Sequence, residues 1–91
     1  MTCAFRAVVA GRVQGVGFRY TTRRMAQQLG LAGWVRNLKT GSVEVWAQGP
    51  IAAAEDFRRY IEHGPPGAVV QTVEITDVEP DPGLSDFEVR Y

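Results

Sequence analysis

Between residues 11 and 19 the chain reads Gly11-Arg-Val-Gln-Gly-Val-Gly-Phe-Arg19, and this is the stretch whose residue types could do chemistry. Gly15 and Gly17 permit positive φ and close approach of a ligand to the main chain, so consecutive N–H groups can converge on one anion. A helical period begins at Phe18, and a helix starting there brings free N–H groups and the positive end of its dipole to the same point. Arg19, in the first turn, adds a permanent planar cation able to hold two oxygens at once. The chemistry this composition suits is recognition of a phosphate-like oxyanion. The same residues suit a tight turn followed by a solvated arginine, and taken alone they do not separate the two readings.

The elements that must position these residues follow from apolar spacing. Ala4–Val13 alternates as a largely buried strand. Phe18, Thr22, Met25 and Leu29 fall on one face of a helix, with Gly30 as its C′ stop. Leu31–Arg36 and Ser42–Ala47 read as strands, with Asn37-Leu-Lys-Thr-Gly41 as the hairpin turn. Val43 and Val45 alternate with Glu44 and Trp46, so one face of the hairpin packs inward. Gly49-Pro50 opens a second helix with Ile51, Ala54, Phe57 and Ile61 as its apolar stripe, and His63-Gly-Pro-Pro-Gly67 ends it. Ala68–Asp77 is a further strand; Phe87, Val89 and Tyr91 alternate in a short closing one. The order implies an α+β, ferredoxin-like two-layer sandwich: an antiparallel sheet of four main strands plus a short extra strand, with two helices on one face.

The Gly11–Arg19 motif is followed by Gly33-Trp-Val-Arg-Asn37 and then Gly41-Ser-Val-Glu-Val45, with Gly49, Phe57 and Phe87-Glu-Val-Arg90 beyond. In that order, over nearly the whole chain, the sequence resembles the acylphosphatase family. The resemblance implies hydrolysis of carboxyl-phosphate anhydrides to a carboxylate and inorganic phosphate, without metal or other cofactor. By position, Arg19 matches the family's phosphate-binding arginine and Asn37 its water-orienting asparagine. Gln14, Gly15, Val16, Gly17, Phe18 and Arg19 match its cradle of backbone amides. Nothing matched to the motif supplies a general base, and Leu38 stands where some relatives carry a hydroxyl residue. Outside the motif the residues have plainer readings. Arg23, Arg24 and Arg36 are surface charges, His63 favours a helix C-terminus, and Trp34 and Trp46 pack the hairpin.

Ninety-one residues are enough for a single domain spanning 1–91 and too few for two separate cores. Cys3 is the only cysteine, which excludes an internal disulfide framework and a cysteine-rich zinc site. Met1–Arg6 lacks the apolar core of a signal peptide, so a reducing cytoplasm is expected. No run is long enough to span a bilayer. Net charge is zero but uneven: residues 1–45 carry seven basic side chains against Glu44, and residues 46–91 carry three against nine acidic ones. That asymmetry suits an anion partner or two differently solvated faces. An RNA-recognition domain shares the element order, but its aromatic–glycine signature belongs on a sheet face, and here it lies at the first strand-to-helix turn. A non-catalytic regulatory domain using the same anion pocket is a third reading. The expected partner is a small-molecule acyl phosphate, with no nucleic acid and no membrane, acting on a monomer.

Overall fold

The computed structural model describes residues 2–91. Its elements run β1 (Thr2–Arg12), α1 (Phe18–Gln28), β2 (Ala32–Asn37), β3 (Val43–Pro50), α2 (Ile51–His63), β4 (Val69–Val78) and β5 (Phe87–Arg90). The strands form one sheet in the order β4-β1-β3-β2-β5. β1 lies antiparallel to β3 and β4, and β2 antiparallel to β3. The short closing strand β5 adds to the outer edge of β2 and runs parallel to it. Parallel pairing needs a crossover, because a tight turn only reverses the chain. The path from β2 to β5 runs through β3, α2 and β4. Residues 79–86 complete it by carrying the chain from β4 at one edge of the sheet to β5 at the other, and Gln48 fastens them. The Gln48 side chain donates to the Asp81 carbonyl at 2.8 Å and accepts the Asp81 N–H at 2.6 Å.

Alternation along each strand decides which residues the helices cover. Phe5, Ala7 and Val9 of β1, Val35 of β2 and Val43, Val45 and Ala47 of β3 are buried beneath α1 and α2. The ring of Phe57 from α2 reaches into this layer. It lies 6.3 Å from Phe5 and edge-on to Phe87 at 5.6 Å, tying α2 to strands near both edges of the sheet. Both helices sit slightly rotated from their sequence stripes. In α1 the fully buried set is Phe18, Thr22 and Ala26, and Met25 and Leu29 only flank the core. In α2 it is Ala54, Phe57 and Ile61, while Ile51 is 40% exposed. At 100° per residue Ile51 stands roughly 85° from the middle of that buried stripe, at its margin.

The helix ends follow local chemistry. After α1, Gly30 donates to the Gln27 carbonyl at 3.1 Å and Leu31 donates to the Ala26 carbonyl at 2.9 Å, the paired bonds of a Schellman stop. The hairpin differs from expectation at one residue that matters. Asn37 is the last residue of β2, paired with Val43, and the turn begins only at Leu38.

The helix-free face of the sheet holds Trp34 directly opposite Trp46. Glu44 lies there too, only 3% exposed, clasped by Arg6 at 2.5 Å and by Arg36 at 2.6 Å. Alternation correctly sets Glu44 opposite the valines, but two arginines cover it. Burial raises its pKa; hydrogen bonds from Arg36 and Arg6 and their charges outweigh that and hold it below the ordinary carboxylate value. Arg36 and Arg90 lie over the Trp34 ring at 5.3 and 5.1 Å. No helix among the described residues is long and apolar enough to cross a membrane.

Candidate functional site

The segment between β1 and α1 is held by alternating anchors. Val13 and Phe18 are fully buried, and Val16 packs against the same core. The residues between them face elsewhere. Gly15 has φ 75° and Gly17 φ 77°, both left-handed, and a Cβ at either would meet nothing within 4 Å. Glycine is needed there for the turn of the chain and not for want of space, so the main chain at these two positions lies open to an approaching ligand.

Gly17 is also the N-cap of α1 and supplies no side chain to cap it; its carbonyl accepts from the Thr21 N–H and hydroxyl at 3.0 and 2.9 Å. The first N–H groups of a helix have no intrahelical acceptor, so those of Phe18, Arg19 and Tyr20 keep their hydrogen-bonding capacity at the positive end of the dipole. No acidic residue stands in the first turn to offset it.

A cleft of about 320 Å³ opens above this loop. Gly15, Gly17, Phe18, Arg19 and Asn37 all line it, so β2 and the loop bring the residues of both sequence motifs to one place. Gln14 and Val16 do not line it: Val16 is an anchor, and Gln14 has a different task. Its side-chain amide donates to the carbonyls of Leu38 at 2.8 Å and Ser42 at 2.9 Å. One side chain thus ties the loop to the hairpin that carries Asn37. In the cleft, Oδ1 of Asn37 is buried with no protein partner. The Arg19 guanidinium lies 5.0 Å from the centre of the Tyr91 ring. β5 runs parallel to β2 with Arg36 beside Arg90, and Tyr91, the next residue, lines the cleft together with Asn37.

The lining residues that the sequence does not assign to the site include Tyr20, Arg23, Val89 and Tyr91. Arg23 is the clear correction. Read as a surface charge, it lines the cleft, with its Nε buried and without a partner. The missed signal is its spacing, since Arg19 and Arg23 stand four apart and share one helix face. Among the described residues neither arginine forms an ion pair, whereas Arg6, Arg36 and Arg90 on the far face each hold a carboxylate. The unpaired cations of the fold therefore include the two that face the cleft. No group of three or more His, Cys, Asp or Glu side chains among the described residues is arranged to hold a metal ion.

A ferredoxin-like sandwich with an open glycine loop, an uncapped helix and an arginine–asparagine pair at one cleft defines a class of small two-layer α+β domains. Comparison narrows the class. A family model described as acylphosphatase matches residues 5–89. The chain is 55% identical over 82 residues to an acylphosphatase of Nostoc sp., covering 90% of this chain and 80% of that one. The crystal structure of acylphosphatase from Bacillus subtilis superposes with a TM-score of 0.93 at 38% identity, covering all of both chains. Full-length HypF in its phosphate- and nucleotide-bound form also matches, with a TM-score of 0.87 at 28% identity, over all of this chain and 12% of that one. The chain belongs to the acylphosphatase family.

Proposed function

We propose that the protein hydrolyses acyl phosphates at the cleft between the Val13–Phe18 loop and the end of β2. The observation that carries this reading is the meeting of Arg19, the open amides around Gly15 and Gly17, and Asn37 in one cavity. The phosphoryl group binds with its non-bridging oxygens on the loop amides and the Arg19 guanidinium. Water attacks phosphorus and forms the new P–O bond. The bond to the acyl oxygen breaks, and the carboxylate leaves with the bonding pair. Phosphoryl transfer of this kind depends on positioning and charge stabilisation more than on covalent catalysis.

Arg19 and the amides stabilise charge that is redistributed over the phosphoryl oxygens in the transition state. Asn37, which lines the cleft, orients the water through its side-chain amide. An amide is no base at neutral pH, so the proton from water passes to an oxygen of the phosphoryl group, and the products are a carboxylate and inorganic phosphate. A carboxylate is a good enough leaving group to depart unprotonated.

The test is hydrolysis of benzoyl phosphate by pure folded protein, with and without excess chelator. The reading expects enzymatic release well above the buffer rate in both conditions. A rate no faster than buffer overturns the enzyme reading, and activity lost with chelator and restored by a divalent cation overturns the mechanism.

A further inference from the structure

The reaction proposed above uses one arginine of the cleft, and the cleft has two. α1 reads Phe-Arg-Tyr-Thr-Thr-Arg-Arg-Met-Ala-Gln-Gln, with three arginines and no acidic residue. Arg19 and Arg23 stand at i and i+4, where like charges destabilise a helix, and no carboxylate relieves them among the described residues. Arg23 is also not simply a solvated charge. Its guanidinium lies over the Tyr20 ring at 5.6 Å, and its Nε is buried without a hydrogen-bond partner. Both arginines line the same cavity.

Their positions along the helix separate what they can hold. Arg19 lies in the first turn, beside the loop amides. Arg23 lies one turn further, about 6 Å along the axis, and helical side chains lean back toward the N-terminus, so Arg23 covers the turn that carries Arg19. An acyl phosphate with its phosphorus on the loop would bring the far end of a short acyl chain under Arg23. Tyr20 and Val89 supply apolar wall along that path. We infer that Arg23 is a specificity-determining residue, and that the preferred substrates are short acyl phosphates whose acyl group ends in a second anion such as a carboxylate. This inference rests on the proposed hydrolase reading.

Succinyl and butyryl phosphate form a matched pair, differing at the fourth carbon by a carboxylate in place of a methyl. The readout is the ratio of their kcat/KM values. Wild type is expected to favour succinyl phosphate by about tenfold or more, as for loss of one charge-assisted hydrogen bond. Arg23→Gln is expected to bring the ratio near one, the change lying mainly in KM, as befits binding remote from the reacting atoms. Arg23→Lys, which keeps the charge without the fork, is expected to retain part of the preference. A wild-type ratio at or below one overturns the inference. So does an Arg23→Gln variant, shown folded by its melting curve, whose ratio is unchanged. If both substrates lose equally, Arg23 serves the phosphoryl group and the specificity role is wrong. Wild type inactive on both substrates instead fails the hydrolase reading beneath the inference, a result distinct from activity without preference.

Discussion

Replacing Gln14 by methionine keeps the length of the side chain and removes only its amide. Two hydrogen bonds are lost, to the Leu38 and Ser42 carbonyls. Neither carbonyl is orphaned. Leu38 O also accepts from the Gly41 N–H at 3.2 Å, and Ser42 O from the Leu38 N–H at 2.8 Å. The cost is therefore that of two ordinary bonds at a half-buried site without an added desolvation penalty, about 1–2 kcal/mol together. For a domain of this size that corresponds to a fall in melting temperature of roughly 5–10 °C. The effect on turnover is expected to exceed the effect on ligand affinity. The loop keeps its anchors, Val13 and Phe18, and its open amides, so inhibition by inorganic phosphate is expected to change little. Asn37 sits on the hairpin that Gln14 restrains, and a displacement of even about 1 Å in a positioning group lowers kcat by about a hundredfold. The assay is a thermal melt beside steady-state hydrolysis of benzoyl phosphate with inorganic phosphate as inhibitor. A variant that melts and turns over like wild type would show that Gln14 does not restrain the hairpin. One that melts lower but keeps kcat shows the tie to be structural only.

Three further outcomes follow from the same geometry. Glu44→Gln should destabilise the protein by about 1–2 kcal/mol at pH 7, because Arg6 and Arg36 are themselves half-exposed and water takes up part of their loss. The Glu44 pKa is depressed in the fold, so its contribution is complete above the unfolded value and vanishes as pH falls through the lower folded value; melts of both proteins should converge in strong acid. Thr22→Val should raise stability by about 1 kcal/mol, since the Thr22 hydroxyl is buried without a partner and valine fills the same volume; an unchanged or lower melting temperature counts against this. On the proposed role of its amide in orienting water, Asn37→Ala should lower kcat by about a hundredfold or more while phosphate inhibition changes little; equal losses in both would assign it to binding or structure.

Much of the fold is legible in the sequence because apolar periodicity and turn chemistry agree. The run Phe5, Ala7, Val9 alternates as a strand, Gly30 stops α1, and Pro50 stands at the start of α2. What escapes is information held in pairing. Four residues of alternating β5 do not say which edge they join or in which direction, so the parallel partnership with β2 emerges only from the sheet. The buried stripe of α1 turns toward Ala26 because a small side chain lets a helix lie close to its sheet, whereas hydrophobicity alone favours Met25. Arg23 escapes for a different reason. Nothing in its residue type distinguishes a solvated arginine from one facing a cleft, and only its spacing from Arg19 points to the difference. Gln14 belongs to the recognised motif, but whether its side chain or its main chain matters depends on where the hairpin turn lies.

The central claim is that a permanent, forked cation at Arg19 works with the open amides of the Val13–Phe18 loop on a phosphoryl group. The most direct measurement is kcat/KM for benzoyl phosphate in Arg19→Lys beside wild type, with a melting curve for each. Lysine keeps the charge but offers one compact ammonium in place of two parallel donors. The expected loss is about a thousandfold, in line with removal of a transition-state donor, at an unchanged melting temperature. Activity within a few-fold of wild type would contradict it.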